Sequence, residues 1–276
     1  MAGMGRDHLG HEQWRRLEVR GVSKAFVNRR GERRDVIGNV DFELRAGERV
    51  ALLGATGSGK TTLLNIIAGF TQPSRGRVSV DGVEVRGPGP DRGVVFQRPN
   101  LYPWMTAKQN LTFGARWGSA ERVGKSELEA SAATLLEALG LGDAADLFPR
   151  QMSGGMQARV ALGRVLLCRS TKILLMDEPF GALDALTRSG LHRLMLDLRA
   201  SEGDVSAILV THDVEEAVLL SDRLLILGDR PCHLVGEMEV PFGWPRSYSE
   251  CLLGGELQAI KGRALAALAP SIMGTQ

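Results

Sequence analysis

The chain has 276 residues, enough for one large domain or for one domain with an appendage. Its composition, 43% hydrophobic and 24% charged, is that of a globular protein, and a net charge of +2 is too small to indicate nucleic-acid binding. No run of 18 apolar residues occurs, so we expect no membrane-spanning helix, and the polar segment 1–13 does not resemble a signal peptide. Cys168, Cys232 and Cys251 lack a C-x-x-C spacing, which argues against a disulfide framework or a zinc site and suits a reducing compartment.

The first part of the chain has the pattern of antiparallel strands. Strands are predicted over 17–26 and 36–44 from their alternation of apolar and polar residues. Residues 76–85 carry Asp81-Gly82 between two β-branched runs, the pattern of a hairpin. We therefore expect antiparallel strands at the front of the chain.

A glycine-rich segment is the most specific motif: Gly54-Ala55-Thr56-Gly57-Ser58-Gly59-Lys60-Thr61 fits G-x-x-x-x-G-K-[ST] in full. It lies between a predicted buried strand, 50–53, and a predicted helix, 62–69, which is the context that this motif requires. Glycines leave no Cβ between backbone and ligand, so successive N–H groups can form an anion-binding nest. Lys60 is expected to reach the β- and γ-phosphates, and the Thr61 hydroxyl to bind Mg²⁺. The sequence therefore predicts a nucleoside triphosphate site.

The middle of the chain is predicted to be helical. A short strand over 93–96 ends at Gln97, and a helical insertion follows from about 105 to 140, in which 126–139 form an amphipathic helix. A further helix is predicted to begin after Ser153, as its N-cap, and to run to about Leu167.

The second half alternates between strand and helix patterns. The predicted strands are 172–176, 205–210 and 223–227, and the predicted helices are 185–200 and 213–220. This alternation predicts a parallel sheet with helices on both faces. Beyond Pro241 we expect irregular structure and then a terminal helix over 256–268.

Polar residues that can act on a phosphate follow three of the predicted strands. Asp177 and Glu178 come directly after the apolar run 173–176, and two carboxylates at the end of a buried strand suit a Mg²⁺ ion on a bound phosphate. Asp177 is expected to hold the metal and Glu178 to polarise the attacking water. Ligands of open parallel sheets lie at the carboxyl ends of strands, where His212 can contact the γ-phosphate and Gln97 both metal and water.

Together these motifs resemble the ATP-binding-cassette (ABC) ATPases over roughly residues 19–227. The resemblance rests on the order Gly54–Thr61, Gln97, Met152-Ser153-Gly154-Gly155-Met156-Gln157, Ile173–Glu178, Gly181-Ala182-Leu183-Asp184 and His212. It implies an α/β P-loop nucleotide-binding domain with a mixed sheet, an antiparallel β subdomain and an inserted helical subdomain. Met152, Met156 and Gly181 depart from the residues usual in this family, and we expect these changes to be tolerated.

The resemblance also implies a role for each motif. It assigns catalysis to Glu178, His212 and Gln97, and metal binding to Thr61, Gln97 and Asp177. The residues expected to contact ATP are Phe26, Gly54, Ala55, Thr56, Gly57, Ser58, Gly59, Lys60, Thr61, Thr62, Ser153, Gly154, Gly155 and Asp184. Phe26 lies where the family places an aromatic residue that stacks on adenine, although an aromatic ring at this position can equally belong to the core of a strand.

Two copies of the chain are expected to act together. Ser153 and Gly155 would lie too far from the phosphate loop of their own chain, so by the resemblance they would bind the γ-phosphate held by a second copy. ATP would join the two copies, and hydrolysis would release them.

The chain resembles the separate ATP-binding subunits of bacterial importers. Residues 87–92, the segment 101–104 and the Ser153 motif are similar to the nitrate/sulfonate/taurine branch. Membrane permease subunits, gripped by residues 98–104, are the expected partners, with a periplasmic or lipoprotein solute-binding protein acting indirectly and no nucleic acid. Tyr102 and Trp104 can alternatively pack within their own loop. The alternative functions are the ATPase subunit of an exporter and a soluble ABC ATPase without a transport role.

The predicted organisation is an ABC ATPase domain over 17–240, with a helical subdomain at about 98–168, and a C-terminal extension over 241–276. ATP and Mg²⁺ are the expected cofactors, and the expected solute is a small anion. The expected location is peripheral, on the cytoplasmic side of the bacterial plasma (inner) membrane.

Overall fold

The computed structural model describes residues 15–118, 124–199, 205–246, 248, 251 and 255–273. The strands are β1 (Arg15–Val27), β2 (Arg33–Arg45), β3 (Arg49–Leu53), β4 (Arg75–Val80), β5 (Val83–Glu84), β6 (Arg92–Val95), β7 (Ile173–Asp177), β8 (Ser206–Thr211), β9 (Arg223–Leu227) and β10 (Leu234–Glu239). The helices are α1 (Lys60–Ala68), α2 (Ala107–Gly118), α3 (Lys125–Ala138), α4 (Gly154–Leu166), α5 (Ala185–Arg199), α6 (Val214–Leu220) and α7 (Gly255–Met273).

One sheet of the described residues is antiparallel, with the strand order β2-β1-β4-β5. It buries one face, to which β1 contributes Leu17, Val19 and Val22. The predicted hairpin joins β4 to β5, and both Asp81 and Gly82 have positive φ (46° and 77°), as a tight two-residue turn requires. The expected antiparallel strands are therefore confirmed.

The larger sheet has the strand order β10-β9-β3-β8-β7-β6. The strands from β9 to β6 run parallel, and all five residues of β3 are buried, as expected for a strand that is covered on both faces. The carboxyl ends of β3, β8, β7 and β6 therefore meet at one edge. The antiparallel edge strand β10 is absent from the sequence prediction, because none of its residues is buried and its pattern is correspondingly weak.

Helices α2, α3 and α4 lie together and have a hydrophobic core of their own. Its buried residues are Ala107, Leu111, Leu136, Leu139, Leu141, Ala144, Met152 and Val160. Ser153 is the N-cap of α4, as predicted, because its Oγ accepts the backbone N–H of Met156 at 3.2 Å. The expected helical insertion is thus present between β6 and β7.

The C-terminal segment packs on the large sheet and its helices. Cys251, Leu257, Ile260 and Ala264 are buried in the same hydrophobic cluster as residues of β3, β7 and β8. The terminal helix α7 is longer than predicted and contacts α6, β9 and β10. Within the described part of the chain, no helix is both long and apolar enough to cross a bilayer.

Candidate functional site

The phosphate loop connects β3 to α1 at the carboxyl edge of the large sheet. Gly57 and Gly59 have φ of 80° and 115°, which side chains rarely adopt, so glycine is needed at both positions. A Cβ on Gly54 would lie 2.7 Å from the carbonyl oxygen of Leu227 on the neighbouring strand β9. The loop is therefore folded tightly against the end of the sheet and leaves its backbone accessible to a ligand.

Lys60, the first residue of α1, is buried with its ammonium group turned towards its own loop. Its Nζ donates to the carbonyl oxygens of Gly54 (2.8 Å) and Ala55 (2.7 Å). Burial lowers the pKa of Lys60, and this effect is opposed most by Glu178 and less by Cys232, Asp177 and Asp229. The ammonium group thus lies at the phosphate loop, where a polyphosphate would supply the missing counter-charge.

Thr61 and Asp177 are 116 residues apart in the chain and meet at the carboxyl end of β7. The Thr61 hydroxyl donates to Asp177 Oδ1 at 3.0 Å. Burial raises the pKa of Asp177, as does the neighbouring Glu178, while the Thr61 hydrogen bond and Lys60 act in the opposite direction. A hydroxyl and a carboxylate side by side are hard oxygen donors of the kind that Mg²⁺ takes from proteins beside phosphate oxygens.

Glu178, His212 and Gln97 converge beside this pair. Glu178 Oε2 lies 3.5 Å from His212 Nδ1. A Cβ on Gly181 would be 3.6 Å from Glu178 Oε2 and 3.8 Å from Gln97 Nε2, so the amide and the carboxylate face the same small space. Glu178 also has a φ of 44°, a conformation that costs energy for a residue other than glycine and that is concentrated at functional sites.

The Ser153 motif contacts other parts of the chain than the phosphate loop. Ser153 and Gly154 are exposed at the start of α4, and the position of a Cβ on Gly155 would be 2.3 Å from Thr187 Cγ2 on α5. Gly155 is thus buried against α5, while Ser153 and Gly154 are at the surface.

Asp184 and Phe26 occupy more peripheral positions. The Asp184 carboxylate accepts the Thr187 backbone N–H (2.9 Å) and hydroxyl (2.7 Å) at the start of α5, and these hydrogen bonds lower the pKa of Asp184. Phe26 is 45% exposed at the end of β1, with Lys24 Nζ 4.9 Å from its ring centroid. The interpretation of Phe26 as a core residue of its strand is therefore wrong.

Two residues beside the phosphate loop have no counterpart in the sequence prediction. Arg230 Nε donates to the Gly57 carbonyl at 2.7 Å, and the buried Cys232 lies beneath the loop, where a Cβ on Gly59 would meet its Cβ at 3.0 Å. Burial raises the pKa of the Cys232 thiol to about 11, so it is protonated at neutral pH. Both residues follow β9, and only the pairing of β9 with β3 brings them to the loop.

The sequence matches the ABC transporter family over residues 37–181. The chain belongs to this family. The cassette is similar to the nitrate import ATP-binding protein NrtD of Synechocystis sp., with 42% identity over 81% of this chain and 82% of that protein. It is also similar to the taurine import ATP-binding protein TauB of Jannaschia sp., with 42% identity over 82% of each chain.

Two further similarities concern a longer protein and a solved structure. The bicarbonate transport ATP-binding protein CmpC of Synechococcus elongatus is 43% identical over 82% of this chain, which spans 34% of that protein. The fold is similar to a dimeric, post-hydrolysis structure of the ATP-binding cassette MJ0796 bound to ADP and Pi, with a TM-score of 0.72 and 29% identity over 82% of this chain and 100% of that one. The chain is accordingly an ATP-binding ATPase of the ABC type.

Proposed function

We propose that this chain is the ATP-hydrolysing subunit of an ABC importer that takes up a small anionic solute. The observation that carries the proposal is the convergence of Lys60, Thr61, Asp177, Glu178 and His212 at one edge of the sheet. The similarity to nitrate, bicarbonate and taurine proteins over four fifths of the chain supports import and an anion as the solute class.

The phosphate loop binds the triphosphate through its backbone N–H groups. Lys60 exchanges its two carbonyl partners for the β- and γ-phosphate oxygens. Thr61 and Asp177, with the amide oxygen of Gln97, would hold Mg²⁺, and the ion would neutralise charge on the phosphates. Residues Gly54 to Thr62 are thus proposed to bind nucleotide, and the exposed ring of Phe26 to stack on its base.

Hydrolysis requires a base for the attacking water. The Glu178 carboxylate accepts a proton from that water while the water oxygen attacks the γ-phosphorus, and ADP leaves. His212, 3.5 Å from Glu178, donates an N–H to a γ-phosphate oxygen. Gln97, whose amide faces the same space as Glu178, orients the water.

A second copy of the chain completes the site. The N-terminus of α4, with the exposed Ser153 and Gly154 and the buried Gly155, points its backbone N–H groups at the γ-phosphate bound by the partner, and Asp184 lies at the same interface. The dimeric state of the MJ0796 cassette supports this arrangement.

Permease subunits are the proposed membrane partners. The Tyr102 ring packs at a tilt against Trp104 and Phe113, at centroid distances of 5.6 and 4.6 Å, and Trp104 is still 69% exposed. An exposed aromatic group on the 98–104 segment suits a protein interface. We propose that the chain binds these subunits on the cytoplasmic side of the membrane, with a solute-binding protein acting outside. In this proposal the ATPase domain spans 17–240, with a helical part at about 98–168, and 241–276 form a C-terminal extension.

A test of the base is the variant Glu178→Gln. We expect ATP binding to persist and kcat to fall by about a thousandfold or more, because the amide cannot accept the proton while Asp177 still binds the metal. Phosphate release and fluorescent-ATP titration measure the two quantities, with Lys60→Ala as the control that loses binding itself. A kcat equal to that of the wild type would refute the assignment of Glu178.

The direction of transport is tested with the co-encoded membrane subunits in vesicles. Uptake of nitrate, bicarbonate or taurine that requires ATP on the side of this chain is the expected result. ATP-driven efflux instead would identify an exporter subunit.

A further inference from the structure

A buried carboxylate outside the proposed catalytic set lies close to it. Glu216, in the first turn of α6, is only 4% exposed. Its Oε2 accepts the hydroxyl of Thr211 at 2.7 Å, and its Oε1 lies 3.5 Å from Nε2 of His192, which is 5% exposed on α5. A carboxylate is costly to bury unless it is paired, so its partners matter to the local structure.

The Glu216–Thr211 contact fixes the backbone on both sides of His212. Thr211 Oγ1 donates to Glu216 and at the same time accepts the backbone N–H of Asp213 at 3.0 Å. The Asp213 carboxylate in turn accepts the backbone N–H of Glu215 at 2.8 Å as the N-cap of α6. The Glu216 carboxylate thus binds Thr211, the residue before His212, directly. It holds Asp213, the residue after His212, through the Thr211 hydroxyl.

The same carboxylate connects this loop to α5, the helix that follows Asp184. Arg188 donates to the Leu183 carbonyl at 3.1 Å, and its guanidinium lies 3.9 Å from both Asp213 Oδ2 and Glu216 Oε1. His192 also packs edge-on against Phe180, at a centroid distance of 4.7 Å, two residues after Glu178.

The His212 side chain itself has little packing to orient it. It is 55% exposed, and its contact with Glu178 is 3.5 Å long. An imidazole in such a setting takes its position from the backbone that carries it. That backbone is fixed by the Thr211 hydroxyl and Glu216.

We propose that Glu216 is a positioning residue of the ATPase site, which sets the place of His212 opposite Glu178 by fixing the Thr211–Asp213 backbone against α5. This inference rests on the proposed role of His212 in hydrolysis. It assigns to Glu216 an effect on the chemical step, distinct from a contribution to folding alone.

The first test compares two neighbouring glutamates of α6. Glu216→Gln keeps the shape of the side chain and an oxygen for the Thr211 hydroxyl, but removes the charge that faces Arg188 and His192 on α5. Glu215→Gln instead changes the partially exposed neighbour that pairs with Lys261 of α7. In the full-length chain we expect Glu216→Gln to lower kcat about ten- to a hundredfold with the KM for ATP nearly unchanged. Glu215→Gln should keep the wild-type kcat.

A second pair of variants keeps the test usable if Glu216→Gln folds poorly. Thr211→Val removes the bridging hydroxyl at similar volume, and Thr211→Ser keeps it. We expect Thr211→Val to lower kcat as Glu216→Gln does, and Thr211→Ser to restore it. Wild-type kcat in folded Glu216→Gln or Thr211→Val, with only the melting temperature reduced, would overturn the proposal.

A double-mutant cycle with His212→Ala separates positioning from a general effect. If Glu216 acts through His212, Glu216→Gln should not lower further the residual single-turnover rate of His212→Ala. An equal fold-loss in both backgrounds overturns the inference and leaves the proposed function intact. A wild-type rate in His212→Ala alone would instead refute the role of His212, and the inference with it.

Discussion

At the scale of single residues, two aspartates of the site have pKa values shifted in opposite directions. Burial raises the pKa of Asp177, so its ionised form costs stability at neutral pH when no metal is bound. Hydrogen bonds from Thr187 lower the pKa of Asp184, so its ionised form adds stability above its unfolded pKa, which is lost as the pH falls through its folded pKa. In the proposed nucleotide site, the ionised Asp177 is therefore destabilising, and a bound cation would relieve this cost.

We predict that Asp177→Asn raises the melting temperature of the nucleotide-free chain at neutral pH by about 2–4 °C. Asn can still accept the Thr61 hydroxyl, while the buried charge is gone. The same variant should lose the added stabilisation by Mg²⁺ and ATP. Thermal scans with and without Mg-ATP measure both effects.

Asp184→Asn is the matched control and should lower the melting temperature, because it weakens the hydrogen bonds from Thr187. Both differences from the wild type should shrink as the pH falls and the aspartates become protonated. A decrease in melting temperature for Asp177→Asn would show that burial does not dominate the energetics of this carboxylate.

At the scale of elements, the C-terminal segment is attached to the cassette by a buried arginine. Arg246 donates to the carbonyl oxygens of Val218 (2.7 Å), Ser221 (2.6 Å) and Phe242 (2.9 Å). Burial lowers the pKa of Arg246 to about 10, against the effect of Asp222, and leaves it charged at neutral pH. Arg246 thus satisfies the C-terminal carbonyls of α6, the helix that begins directly after the His212 loop.

Arg246→Met should cost about 2–4 kcal/mol of folding free energy, because it leaves buried carbonyl groups without a donor. Arg263→Met, on the exposed side of α7, should change it by no more than about 0.5 kcal/mol. Urea unfolding of the full chain measures both. Equal urea midpoints of unfolding for the two variants would mean that Arg246 contributes nothing to this attachment.

At the scale of the whole molecule, the two halves of the proposed ATP site belong to different elements of the fold. The phosphate loop lies at the edge of the large sheet, while Ser153 is exposed at the start of α4. We therefore propose that the phosphate loop of one chain holds the triphosphate and that a second chain closes the site.

We predict that Glu178→Gln forms a dimer with ATP and that adding Ser153→Arg prevents it. An arginine at the start of α4 would fill the space for the partner's γ-phosphate, whereas ATP binding to the monomer should be unchanged. Thr134→Arg, exposed on α3, is the control for added charge and should still dimerise. Sedimentation with and without ATP measures the oligomeric state of each variant. ATP-dependent dimers of the variant that carries Ser153→Arg would contradict the shared site.

The sequence by itself determined the parts of this protein whose geometry is contained in a contiguous segment. The phosphate loop, the N-cap at Ser153 and the Asp81-Gly82 turn follow from local backbone requirements, and all three are present. Thr61 and Asp177 were each predicted from their own motifs to bind Mg²⁺, and the two side chains lie together in the structure, because the carboxyl ends of parallel strands share one edge.

Only the tertiary structure decided which distant segments support that edge. The order of the strands places Arg230 and Cys232 against the phosphate loop, and the packing of α5 on α6 places His192 against Glu216. The weak edge strand β10 and the attachment of the C-terminal segment to α6 through Arg246 depend on the same arrangement. Such contacts join residues that are far apart in the chain, so no local sequence pattern predicts them. The hydrophobic periodicity of a strand specifies which of its faces are buried, but it does not specify which strands lie next to it.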